Sequence, residues 1–100
     1  MIVRIARYRV KPGREKNWEQ MMVDHGIPLL KAQRGIMVVY IGRAMEPERS
    51  HQYVTVTVWR SLDDVKAFAG ADWDRVVILP DEAAMLEGLP MLEQSESLES

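Results

Sequence analysis

From Ile2 to Val10 the residues sort with a period of two into two sides, most cleanly in the alternation Ala6-Arg7-Tyr8-Arg9-Val10. Ile2, Arg4, Ala6, Tyr8 and Val10 fall on one side, and Val3, Ile5, Arg7 and Arg9 on the other. That pattern predicts a strand, closed by the turn Lys11-Pro12-Gly13. From about Arg14 the period changes to that of a helix. Trp18, Met21, Met22 and His25 fall at i, i+3, i+4 and i+7 and form one apolar stripe. Gly26 and Pro28 are expected to interrupt this helix, with Leu29 and Leu30 resuming it after a kink. Gln33-Arg34-Gly35 closes the segment. Ile36 to Met45 is nearly continuously apolar, which predicts a second strand buried on both faces, with a bulge at Gly42.

The most informative stretch is Tyr53 to Gly70. Val54, Val56 and Val58 alternate with Tyr53, Thr55, Thr57 and Trp59, a strand that uses both faces. Ser61 then stands where it can cap a helix, and Asp64, three residues on, can reach back to it. Leu62, Val65, Phe68 and Ala69 repeat at helical spacing up to Gly70. Asp72 is placed to cap a second short helix carrying Trp73, Val76 and Val77 on one side. Pro80-Asp81-Glu82 breaks it and starts a last helical turn through Met85 and Leu86. Leu89 to Leu98 reads as a final strand, with Leu92, Gln94, Glu96 and Leu98 sharing a face. Residues 93–100 are polar and are expected to fray.

The order β-α-β-β-α-β predicts a ferredoxin-like α+β fold, a four-stranded antiparallel sheet with helices on one face. The other face also carries apolar residues and cannot stay wet, so two such sheets packed face to face, a homodimer, are expected.

Composition narrows the function. One hundred residues, 47% of them hydrophobic, form one expected domain over 1–100. A net charge of −2 offers no basic patch for nucleic acid. With no cysteine there is no disulfide, no thiolate metal site and no cysteine nucleophile, and a cytoplasmic location is expected. No apolar run approaches the roughly 20 residues that span a bilayer, so no membrane association is expected.

Several side chains are chemical candidates. His25, on the apolar stripe, has the right kind of pKa for a general base, or it is a helix-end histidine bonded to a carbonyl. Tyr8 can hydrogen-bond a ligand oxygen and Arg4 can hold an anion, with the small Ala6 leaving room between them. The alternative has Tyr8 packed at a rim and Arg4 paired with a carboxylate. Trp18, Trp59, Phe68 and Trp73 can build an aromatic wall for a flat substrate or serve as core, with Trp59 and Trp73 the better wall candidates. His25 and His51 show no metal-ligand spacing. Asp63-Asp64 and Asp72 with Asp74 are explained as helix caps. No phosphate loop, nucleophile elbow, flavin or nicotinamide fingerprint occurs, and no cofactor is expected.

Three segments carry a resemblance: IVRIARYRVKPGREKNWEQ, HGIPLLKAQRGIMVVYIGR and VTVWRSLDDVKAFAGADWDRVV. They resemble the antibiotic biosynthesis monooxygenase family, most specifically at the VKPG turn, the TVW–SL junction and AFAGADW. The resemblance implies a dimeric α+β barrel. Its members include cofactor-free monooxygenases acting on polycyclic aromatics and haem-degrading enzymes. The haem-degrading branch uses an Asn, a Trp and a His at places that fall here near Ala6, Phe68 and Val77. None is of the required type, so haem degradation is disfavoured. The ending LPMLEQSESLES also lacks the aromatic and histidine residues common in relatives. Two readings remain. One is a cofactor-independent monooxygenase with a small hydrophobic or aromatic substrate held by Arg4, Ala6, Trp59, Phe68, Trp73 and Val77, and with His25 or Tyr8 moving protons. The other is a non-catalytic dimeric module of the same fold that binds a small ligand or acts as a scaffold.

Overall fold

A computed structural model describes residues 1–98. The strands are β1 (Ile2–Arg9), β2 (Ile36–Arg43), β3 (Gln52–Trp59) and β4 (Met91–Glu96), in the spatial order β2-β3-β1-β4. All neighbours are antiparallel. β1 pairs with β3 from Ile2↔Trp59 to Arg9↔Gln52, which puts the Tyr/Thr/Thr/Trp side of β3 beside the Ile/Arg/Ala/Tyr side of β1. Both sides lie under the helices α1 (Glu15–Met21), α2 (Ile27–Lys31) and α3 (Leu62–Ala69). The ferredoxin-like fold is therefore present. Ser61 caps α3 as expected: its Oγ accepts from the Asp64 N–H at 3.2 Å and donates to Asp64 Oδ2 at 2.9 Å.

The helix-facing side of the sheet divides into two apolar clusters. One gathers Ala6, Tyr8, Val10, Trp18, Met22, Tyr53 and Leu86; the other gathers Ile2, Trp59 and Val65, with Phe68 and Leu30 against it. Between them runs a buried polar band of Arg4, Thr55 and Thr57. Arg4 stands opposite Thr57 and Ala6 opposite Thr55, so the middle of the sheet carries small or polar groups that cannot fill the space beneath the helices.

Five expectations are corrected. Gly26 and Pro28 do not interrupt the first helix. A π-helical stretch, Met22–Gly26, joins α1 to α2, and Pro28 follows directly in α2 without ending the helical run. β2 is not buried on both faces: it is an edge strand, and Val38 and Tyr40 are about half exposed at 47% and 54%. Gly42 is not a bulge. It pairs in register with Val54, the irregularity lies between Ile36 and Val38, and the Tyr40 ring lies where a Gly42 side chain would go. No second helix forms after Asp72; a 3-10 turn, Gly70–Asp72, gives way to irregular chain. The Trp73 and Arg75 carbonyls that such a helix would use accept instead from Arg4. At the C-terminal end, residues 93–96 belong to β4 rather than to a frayed tail, and Leu98 lies past the strand. The expected fraying of residues 99–100 lies outside the described residues.

Candidate functional site

A cleft opens over the polar band. It is lined by Arg4, Ala6 and Tyr8 from β1, Thr55 and Thr57 from β3, Met22 and Gly26 from the wide helical turn, and Phe68 from α3. Val76, Val77, Leu79 and Glu82 close it from the chain that precedes β4. The cleft holds about 550 Å³ of empty space with its open mouth counted, and its interior cavity proper is about 60 Å³. Ala6 and Gly26 have local reasons for being small. Ala6 sits between Arg4 and Tyr8, and a β-carbon on Gly26 would press on the Met22 thioether.

Arg4 is 5% exposed. Its Nη1 donates to the Trp73 carbonyl and to Gln94 Oε1, both at 2.6 Å, and its Nη2 to the Arg75 carbonyl at 3.1 Å. Every acceptor is neutral, and among the described residues Arg4 makes no ion pair. Burial pulls the guanidinium pKa below its ordinary value, with the nearby Tyr8 acting in the opposite sense. Tyr8 is also buried, and its ring lies 5.2 Å from that of Trp18. Burial first, and the Glu82 charge second, push its phenol up to about 12; the Thr55 hydroxyl and Arg4 pull the other way. Tyr8 is thus a neutral hydroxyl near pH 7.

Glu82 is the most buried acid among the described residues, at 1% exposure. Its Oε2 accepts from Trp18 Nε1 and its Oε1 from the Leu79 N–H, both at 2.9 Å. It too makes no ion pair among the described residues. The pattern of the sequence placed it at a helix start and missed it. Its burial depends on Trp18, 64 residues earlier, and no local signal carries that.

Of the residues expected at a site, Arg4, Ala6, Tyr8, Phe68 and Val77 are brought together here. Trp59 is not a wall: it is fully buried in the second cluster, its indole N–H donates to Thr57 Oγ1 at 2.9 Å, and it stacks on Phe68 at 5.2 Å. Trp73 contributes its carbonyl to Arg4, while its ring packs against the second cluster with the Lys66 ammonium 5.4 Å above it. His25 is exposed and does not line the cleft. The wide turn adds one residue, so Gly26 takes the inward position that simple α-helical spacing gives to His25. Among the described residues, no three His, Cys, Asp or Glu side chains gather to hold a metal, and no helix is long and apolar enough to cross a membrane.

The model of one family, antibiotic biosynthesis monooxygenase, matches residues 1–72. The chain belongs to that family. Solved structures of similar fold include a protein from Bordetella bronchiseptica provisionally described as an antibiotic biosynthesis monooxygenase. It is 24% identical, with a TM-score of 0.74 over 97% of this chain and 96% of that one. A protein from Nitrosomonas europaea with the same provisional description is 14% identical, with a TM-score of 0.78 over 98% and 99%. A protein from Mycobacterium tuberculosis is 13% identical, with a TM-score of 0.76 over 99% and 96%. At these identities the likeness establishes the fold. No curated protein matches the sequence. The cleft of this antibiotic biosynthesis monooxygenase family member lies between its helices and its sheet, over Arg4 and Tyr8.

Proposed function

We propose that this protein is a cofactor-independent monooxygenase whose cleft takes a small, largely apolar molecule bearing an ionisable oxygen. The observation that carries the reading is Arg4, a buried cation with neutral partners in a mostly apolar wall. Such a cation favours the ionised form of an enol or phenol, and the neutral Tyr8 hydroxyl can donate to the same oxyanion. The ionised substrate is electron-rich. It gives one electron to dioxygen, the radical pair joins as a peroxide, and loss of water leaves a carbonyl in place of a CH₂ group. Carbon is oxidised, both oxygen atoms are reduced, and no outside reductant is consumed. Family membership supports this reading. His25 has no part in it, because it faces solvent.

A homodimer belongs to the same proposal. The helix-free side of the sheet carries Val3, Ile5, Val38, Tyr40, Val54, Val56 and Val58, an apolar face that a second copy would cover.

One observation favours the second reading, a non-catalytic ligand-binding module: the interior cavity of about 60 Å³ holds a few water molecules but no tricyclic ring without movement. Oxygen uptake and product formation on a panel of phenols and anthrones, under air and under nitrogen, separate the two. Product that needs both protein and oxygen, and that falls with Tyr8→Phe, supports the oxygenase. Panel members that bind without turning over leave the binding module.

A further inference from the structure

Arg4 and Glu82 are opposite charges, each at least nine-tenths buried, in the wall of one cleft. Neither is neutralised by the other or by any other charged side chain among the described residues. Buried charges normally pair, because desolvation is otherwise uncompensated. Here each is held by neutral groups alone: Arg4 by two carbonyls and the Gln94 amide oxygen, Glu82 by an indole and a backbone N–H. They do not touch: no hydrogen bond or ion pair joins them, and Tyr8, two residues beyond Ala6 on the same side of β1 as Arg4, stands within electrostatic reach of both charges and packs on the same Trp18 whose indole binds Glu82. The rest of the lining is Ala6, Tyr8, the hydroxyls of Thr55 and Thr57, Phe68 and aliphatic side chains.

From this arrangement we infer that the cleft is bipolar and selects a ligand that carries an anionic oxygen for Arg4 at one end, an O–H donor for Glu82 at the other, and a flat apolar body between. A hydroxyaryl acid is the simplest molecule of that description. Each Glu82 oxygen accepts one bond from the protein and retains a lone pair for the ligand. The inference rests on the reading of this cleft as the binding site, but not on oxygenation.

Titration calorimetry of the full chain near pH 7 tests it. The probes are 4-hydroxybenzoate, 4-hydroxyphenylacetate and 4-hydroxycinnamate, which span increasing lengths, beside their parents lacking either the hydroxyl or the acid. At least one hydroxy acid is expected to bind about tenfold more tightly than both of its parents. Glu82→Gln should remove the gain due to the hydroxyl and leave the hydroxyl-free acid unchanged. Arg4→Lys, which keeps the charge but not the fork of donors, should weaken every acid and spare the phenols. If no hydroxy acid gains over both parents, the bipolar cleft is wrong, and this comparison uses the wild-type chain alone, so a variant that fails to fold does not blunt it. Tight bipolar binding without oxygen uptake sinks the oxygenase and leaves this inference standing. Oxygen uptake on simple phenols with no gain from the acid does the reverse.

Discussion

The indole N–H of Trp18 donates to Glu82 Oε2 at 2.9 Å, and this bond ties the first helix to the chain that closes the cleft. Trp18→Phe keeps the aromatic packing against Tyr8 and Tyr53 and removes the donor. A buried carboxylate then loses one of its two partners, at a cost of about 1–3 kcal/mol. Urea unfolding of the variant should show that loss. An unchanged midpoint would mean that Glu82 is solvated or re-paired.

Stability should fall in alkali. The Tyr8 phenol is raised from 10.0 to about 12 in the folded protein, chiefly by burial. Below pH 10 both states hold the proton and the contribution is fully present. Above it the unfolded chain ionises first, so unfolding releases a proton and stability drops until the folded phenol ionises near pH 12. The full loss is about 2–3 kcal/mol. Tyr53 is shifted in the same direction, by burial and by its 2.5 Å bond to Glu19. Unfolding midpoints measured from pH 9 to 12 should decline, and Tyr8→Phe should decline less steeply.

Gly26→Ala should separate affinity from stability. The new β-carbon would lie 2.8 Å from Met22 Sδ and 2.7 Å from its Cε, the movable end of a flexible side chain. Met22 can swing toward the cleft, while the helix gains up to about 1 kcal/mol of propensity. The thermal midpoint should stay within a few degrees of wild type while the affinity of any cleft ligand falls severalfold. Equal affinity would place the ligand elsewhere.

The bare sheet face gives a test of assembly. Val56 lies at its centre, opposite Ile5 on one side and Tyr40 on the other. Val56→Asp should turn a dimer into a monomer in sedimentation experiments, with the helix-facing cleft untouched. A wild-type chain already monomeric at high concentration would remove the pairing from the proposal.

Much of the scaffold was legible in residue order because it follows from local rules. Alternation located β1 and β3 and sorted their residues into the right two sides, without saying which side the helices cover, and the Ser61–Asp64 cap marked the start of α3. Arg4, Ala6 and Tyr8 were legible as a group because they share one side of one strand. What escaped depends on distant partners. Val76 and Val77 looked helical until Arg4 claimed the neighbouring carbonyls, and Glu82 read only as the start of a helical turn, with nothing local to show that Trp18 reaches it. The apolar run of β2 could not reveal that it stands at an edge, since that depends on the order in which strands assemble. His25 was misplaced because a single extra residue in a turn leaves no mark on spacing.

That extra residue has a consequence for how one helix serves a twisted platform. Trp18 and Met22, ahead of or within the wide turn, pack in the Tyr8 cluster, while Leu30, beyond it, packs on the Trp59 cluster at the far end of the sheet. Twist carries the two ends of β1 and β3 out of line, so a stripe with constant phase would drift off the surface it has to cover. The wide turn acts like a vernier: it resets the rotation midway, keeps both ends seated, and leaves the hollow at the point of adjustment.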